Sequence, residues 1–135
     1  MERELRQSER EELLKEPLTA VLATERVAGG VHAVPVWYHY RDGELRVVTG
    51  KNSLKVRNAL RTGRATLCIQ RSRGADLRYV TVEGLVRVEP CTPGERRQLW
   101  AHYTDEKKAA AMAGADLSGL CVLILVPQRW TATSE

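Results

Sequence analysis

Lys51, Ser53, Lys55 and Arg57 occupy alternate positions of the stretch T-G-K-N-S-L-K-V-R-N, from Thr49 to Asn58, and are the residues best placed to do chemistry. A short β-branched strand breaks there at Gly50. Asn52 and Ser53 are good N-cap types, Val56, Ala59 and Leu60 follow at helical spacing, and Thr62-Gly63 supplies a stop. A helix therefore begins among three cations. Its free N–H groups and the positive end of its dipole add to them, and the combination suits an anion, above all a phosphate. A plain solvated helix fits the same residues, because Lys and Arg are good helix formers, and the segment alone leaves both readings open.

Other reactive groups are sparse. His32, His39 and His102 are scattered without a second ligand at a recognisable spacing, so no metal site is expected. Cys68, Cys91 and Cys121 are odd in number, lack a C-x-x-C pair and fall partly inside apolar strand patterns, so buried free thiols are expected. Tyr38, His39 and Tyr79 can donate a proton in principle, but strand packing with a polar tip explains each, and no catalytic residue stands out.

The elements that must hold the Lys51–Arg57 stretch are mostly strands. Ser8-Glu9-Arg10-Glu11 reads as a capping box for a short helix through Lys15, with Leu13 and Leu14 facing the core before Pro17. Leu18 to Thr24 and Val31 to Tyr40 read as strands around a Gly29-Gly30 turn; Pro35 makes the second an edge strand or gives it a bulge. Asp42-Gly43 turns the chain into the strand Leu45 to Thr49. Ala65 to Gln70 and Tyr79 to Glu89 follow the phosphate-ready helix. The latter alternates with period two, Val80, Val82, Val86 and Val88 on a core side, Tyr79, Thr81, Glu83, Leu85 and Arg87 on a mixed side that suits partial cover by a ligand or second subunit. Thr92-Pro93-Gly94-Glu95 opens a helix whose Leu99, Trp100 and Tyr103 stripe, reaching about Met112, reads as packing. Leu120 to Val126 is the last strand. Six short strands with few helices predict a mainly β chain folded as an antiparallel barrel over residues 1–135, as one domain.

At 135 residues the chain can form one core but is small for an enzyme that encloses its substrate alone, so a site shared with a second copy is expected. The net charge of +4 permits acidic ligands, yet acids and bases are interspersed rather than segregated. A charged N-terminus and the lack of a long apolar run predict a soluble, cytoplasmic protein without a membrane partner.

Three blocks taken together resemble a known family: H-A-V-P-V-W-Y at 32 to 38, V-T-G-K-N-S-L-K-V-R-N at 48 to 58, and Y-V-T-V-E-G at 79 to 84. In this order they are similar to the pyridoxamine-5′-phosphate-oxidase-like, FMN-binding split β-barrel family, and more narrowly to its deazaflavin-using branch. The resemblance implies a homodimer with a cofactor at each end of the subunit interface and a small-molecule acceptor on the exposed ring face. It implies that Ala33, Val34, Pro35 and Val36 border the ring mainly through backbone, that Thr49 and Gly50 lie near the ribityl chain, that Ser53, Lys55 and Arg57 bind the phosphate, and that Lys51 rims it. Tyr79 would reach the cofactor from the partner subunit, with Arg129 and Trp130 as weaker contacts. Many FMN-binding relatives carry S-R-K where this chain has Ser53-Leu54-Lys55, which removes one grip on FMN and favours coenzyme F-420, with FMN as the alternative. The C-terminal arginine- and histidine-containing motif of true pyridoxamine-phosphate oxidases is missing, so that activity is not expected. Two further readings are a flavin-binding barrel without turnover and an oligonucleotide-binding barrel. Against nucleic acid, the cations gather at a helix start rather than along a strand face.

Overall fold

A proline edge and a two-residue corner decide how the sheet is strung. The chain, described over residues 2–135 in a computed structural model, runs β1 (Arg3–Glu4), α1 (Gln7–Leu14), β2 (Ala20–Glu25), β3 (Val31–Val36), β4 (His39–Arg41), β5 (Glu44–Gly50) and α2 (Leu54–Thr62). It continues through β6 (Arg64–Arg73), β7 (Asp76–Pro90), α3 (Pro93–Tyr103), α4 (Glu106–Ala113) and β8 (Leu120–Ser134). All strands join one antiparallel sheet in the order β3-β2-β6-β7-β8-β5-β4, with β1 beside β8. Its two ends, β3 and β4, are separated in the chain by Trp37 and Tyr38 alone. A sheet whose opposite edges are so linked must curl until they meet, which makes a mainly β split barrel.

The six expected strands become eight. Residues 31–40 do not form one strand, because the Tyr38 N–H donates to Tyr103 Oη at 3.1 Å and so is diverted from a ladder at the corner. Arg3 and Glu4 add a short strand against Ser134 and Thr133. Pro35 lies opposite Val21 on β3, which ends the sheet, so the ring that cannot donate sits on an edge as its chemistry requires.

Alternation then sorts the faces. Ala20, Leu22 and Thr24 of β2 point inward with Leu67 and Ile69 of β6 and Val80 and Val82 of β7; all are buried. Val86 and Val88 pack against this core but stay half-buried. Leu13 and Leu14 cover it from α1, and Val56 and Ala59 from α2. Fully burying a residue of the Leu or Val type contributes about 1.5–3 kcal/mol, so these stripes hold the helices on the barrel.

Two helix boundaries differ from the sequence expectation. Arg6, not Ser8, caps α1: Glu9 lies at the third helical position and accepts the Arg6 N–H at 3.0 Å, and the guanidiniums of Arg3, Arg6 and Arg78 converge on it. The Arg3 hydrogen bond foremost holds the Glu9 carboxyl well below the usual carboxylate range. The helix expected from Thr92 to Met112 is two. Asp105 accepts the Lys108 N–H at 2.8 Å and starts α4, so a local cap outweighs continuation of α3.

Gly84 marks a bulge. Glu83 faces Arg129 but Gly84 faces Pro127, leaving Gln128 as the extra residue on β8. A Cβ on Gly84 would overlap the Val126 carbonyl oxygen and lie 2.8 Å from its carbon, both backbone atoms that cannot yield cheaply. Gly84→Ala is therefore expected to destabilise the barrel by about 1–3 kcal/mol, read as a lower urea midpoint. An unchanged midpoint would show that the β7–β8 pair tolerates a side chain there.

Candidate functional site

The β5–α2 junction gathers most of the anion-ready residues. Thr49 and Gly50 end β5 opposite Cys121 and Leu120. The Ser53 N–H returns to Gly50 O at 3.1 Å, which makes the turn, and Ser53 then caps α2 while its carbonyl accepts the Arg57 N–H at 3.1 Å. Its hydroxyl does not cap the helix. Ser53 Oγ is buried without a hydrogen-bond partner, which is costly for a polar atom unless something else meets it. Lys51 and Arg57 are exposed and Lys55 is half-buried, and none of the three has a carboxylate partner among the described residues. Arg61, one turn further, is already engaged by Asn58 Oδ1 and the Glu25 carbonyl. The helix end therefore holds an orphaned hydroxyl, free N–H groups and uncompensated positive charge, a setting for a phosphate.

The β3 residues divide by face. Ala33 and Pro35 point outward, in register with Ala23 and Val21, whereas Val34 and Val36 pack inward. Val34 and Val36 can thus offer a ligand only their backbone. β3 pairs with β2 alone, so its other edge is free of ladder bonds within the chain. Beneath α2, Asn58 Nδ2 donates to Thr24 Oγ1 at 3.2 Å and ties the helix to β2 and, through the Thr24–His32 pair, to β3.

Tyr79 is not part of this cluster within one chain. It faces Gln70 and Thr133, whereas Thr49 faces Cys121 near the other end of the long strand β8. Its hydroxyl donates to Glu2 Oε1 at 3.4 Å. It does share the outer face of the sheet with Ala33 and Pro35, as the strand registers dictate. Arg129 is exposed and pairs with Glu83 at 3.0 Å, and half-buried Trp130 carries the Arg10 guanidinium 4.2 Å from its ring centre.

Sequence reasoning missed two arrangements. Tyr103 Oη donates its one proton to the Leu18 carbonyl at 2.6 Å, lies 3.1 Å from the Tyr38 carbonyl and accepts the Tyr38 N–H, and its ring stacks on Trp37 at 4.4 Å. The residue had been legible only as part of a packing stripe. Glu95 is the centre of the other. His39 Nε2 lies 2.9 Å from Glu95 Oε2, and Arg46 reaches Oε1 through Nε at 2.8 Å and Nη2 at 2.5 Å, with Arg41 at 3.2 Å. Tyr38, one considered proton donor, is fully buried, and burial drives its phenol far above its ordinary range, so it stays protonated. His39 is buried and packed against Glu95.

A curled antiparallel sheet with a proline-bearing edge strand and short covering helices defines the split-barrel class. The sequence places the chain within it: residues 7–134 match the pyridoxamine 5′-phosphate oxidase family, and the chain belongs to that family. Solved structures share the fold. A conserved hypothetical protein, Rv2991, from Mycobacterium tuberculosis is 24% identical over 95% of this chain and 84% of its own, with a TM-score of 0.79. An FAD-binding protein from Mesorhizobium loti is 18% identical over 100% and 99%, with a TM-score of 0.77. An F-420 reductase is 23% identical over 89% and 94%, with a TM-score of 0.68. No curated protein sequence matches the chain.

The Glu95 network sets an acid limit on the fold. Burial by itself would raise this carboxyl, but the hydrogen bonds from His39 and Arg46 outweigh it and hold it down at about 2. A depressed carboxyl contributes stability that is present above its ordinary value of 4.5 and is lost as pH falls towards 2. Glu95→Gln should cost about 3 kcal/mol near neutral pH, because it strands the buried Arg46, and should flatten the loss of stability between pH 4.5 and 2. Urea unfolding across that range, compared with the unaltered protein, is the measurement.

Proposed function

We propose that the protein is an oxidoreductase that uses the deazaflavin coenzyme F-420 to transfer a hydride to a small conjugated acceptor, with the cofactor held between two copies of the chain. The observation that carries this reading is the buried, unpartnered Ser53 Oγ at a helix start, flanked by Lys51, Lys55 and Arg57 without carboxylate partners. Membership of the pyridoxamine 5′-phosphate oxidase family supports a flavin-type cofactor, and fold likeness to an F-420 reductase agrees with the deazaflavin form. FMN is the second reading, and the likeness to an FAD-binding protein supports a flavin in place of a deazaflavin.

In this reading Ser53 donates to the phosphate, and Lys55 and Arg57 neutralise it, with Lys51 at the rim. Thr49 and Gly50 border the chain that leads to the ring. The free edge of β3 offers unpaired backbone groups from Ala33 to Val36, and Pro35 keeps another strand from claiming them. When bound, the ring supplies the hydride; the protein orients it and excludes water.

A second copy is drawn in by the outer face of the sheet. Val21, Val31 and Leu85 are exposed there alongside Ala33 and Pro35, an apolar surface of the kind subunits cover. Tyr79 lies on that face, so a partner packed against it would bring the partner's copy of this tyrosine towards the cofactor.

Titration of the purified protein with F-420 and with FMN, followed by fluorescence quenching, decides between the coenzymes. Lys55→Ala should weaken the binding of whichever is taken up by about 1.5–3 kcal/mol, the scale of a hydrogen bond to a charged group, while leaving the urea midpoint in place. Unchanged affinity in that variant would remove the phosphate site from α2.

A further inference from the structure

Lys51 also lines an open cleft of about 610 Å³ whose other walls the proposed cofactor site does not use. Val88 and Pro90 close β7 on one side of it, Pro93 begins α3, and Leu117 and Leu120 come from the segment that enters β8. The Lys51 N–H donates to Gly119 O at 2.9 Å and so ties that segment to the β5–α2 turn. Volume and an apolar lining with few polar groups are the marks of a small-molecule site.

Its uncompensated cation is Lys51. Lys51 and Glu89 are the charged residues that line it; Glu89 accepts from Arg87 Nε at 2.8 Å, an arginine it shares with Glu44, whereas Lys51 has no carboxylate partner among the described residues. Positive charge also reaches the cleft from Lys55, felt at Cys121, and from Arg96, felt at Cys91. Glu95 also acts on Cys91, and Arg41 and Arg46 already pair with it. Cys91 and Cys121 line the cleft as free thiols, and burial pushes both up, so they add apolar wall rather than negative charge.

We propose that this cleft binds a small molecule with a carboxylate head and an apolar body, the head on Lys51 and the body against Val88, Pro93 and Leu117. Because Lys51 also rims the proposed phosphate site, the test uses protein without cofactor.

Cys91 is a built-in reporter, half-buried in the cleft wall, and free glutathione in the same mixture is the control thiol. Alkylation of both by iodoacetamide, followed by mass spectrometry, is measured with rising decanoate or decanol. Decanoate should slow labelling of Cys91 saturably and leave glutathione unchanged, and decanol should need a roughly tenfold higher concentration for the same protection. Lys51→Gln should erase the difference between the two probes, and Leu117→Glu should abolish protection by decanoate. The proposal falls if decanoate leaves Cys91 labelling unaltered, if both thiols slow together, if the two probes protect at equal concentration, or if Lys51→Gln keeps the preference for the acid.

Discussion

The barrel depends on one phenol. At the corner between β3 and β4 the backbone leaves its ladder for two residues, and polar groups so exposed inside a fold must find other partners. Tyr103 Oη meets the Tyr38 N–H and the carbonyls of Tyr38 and Leu18, while its ring lies flat on Trp37. One side chain from α3 thereby ties the entry to β2, the end of β3 and the start of β4 together. The split in the barrel, the free edge of β3 and the placement of Pro35 beside it all follow from that closure.

The α3 helix that carries Tyr103 is itself fixed at its other end by Glu95. That carboxylate accepts from Arg46 and Arg41 and sits against His39, so polar contacts bolt the helix to β4 and β5 at its start and to the β3–β4 corner at its end, with Leu99 buried between them. Breaking such a pair leaves an uncompensated buried charge, which makes the docking specific even where its net contribution is small. Rigidity at β3 and at the β5–α2 turn comes from different sources: a clasp of hydrogen bonds at one, a glycine turn and a buried helix stripe at the other.

Much of this was legible in the sequence for local reasons. Gly50, Ser53 and Gly63 announce where α2 starts and stops, and Gly63 indeed ends it with φ 73°. Pro35 announces an edge because a ring nitrogen cannot donate. The alternation of Val80 and Val82 fixes the inward face of β7 without any tertiary knowledge. What escaped was non-local. Nothing in Thr92-Pro93-Gly94-Glu95 says that Glu95 will meet Arg46, 49 positions away, and the N3 acid reads equally well as a cap. Tyr103 and Tyr38 are separated by 65 positions, and a helical aromatic stripe does not reveal a phenol that serves three backbone groups. The residues 31–40 look like a single strand because their composition is uniform; only the partner on α3 shows where the strand is cut. The candidate site was legible at the β5–α2 turn, where its parts are neighbours in sequence. Tyr79 illustrates the reverse, since its distance from that turn appears only once the strands are in register.

The arginine-rich anchoring of α3 also bears on heat. The hydration of charged groups becomes less favourable as temperature rises, so the desolvation penalty of the Glu95 cluster shrinks while the return from apolar burial levels off. On warming, the helix that clasps the barrel corner is thus held increasingly by its ionic end, and the first parts to loosen should be those docked without an ion pair, such as the Val56 and Ala59 face of α2.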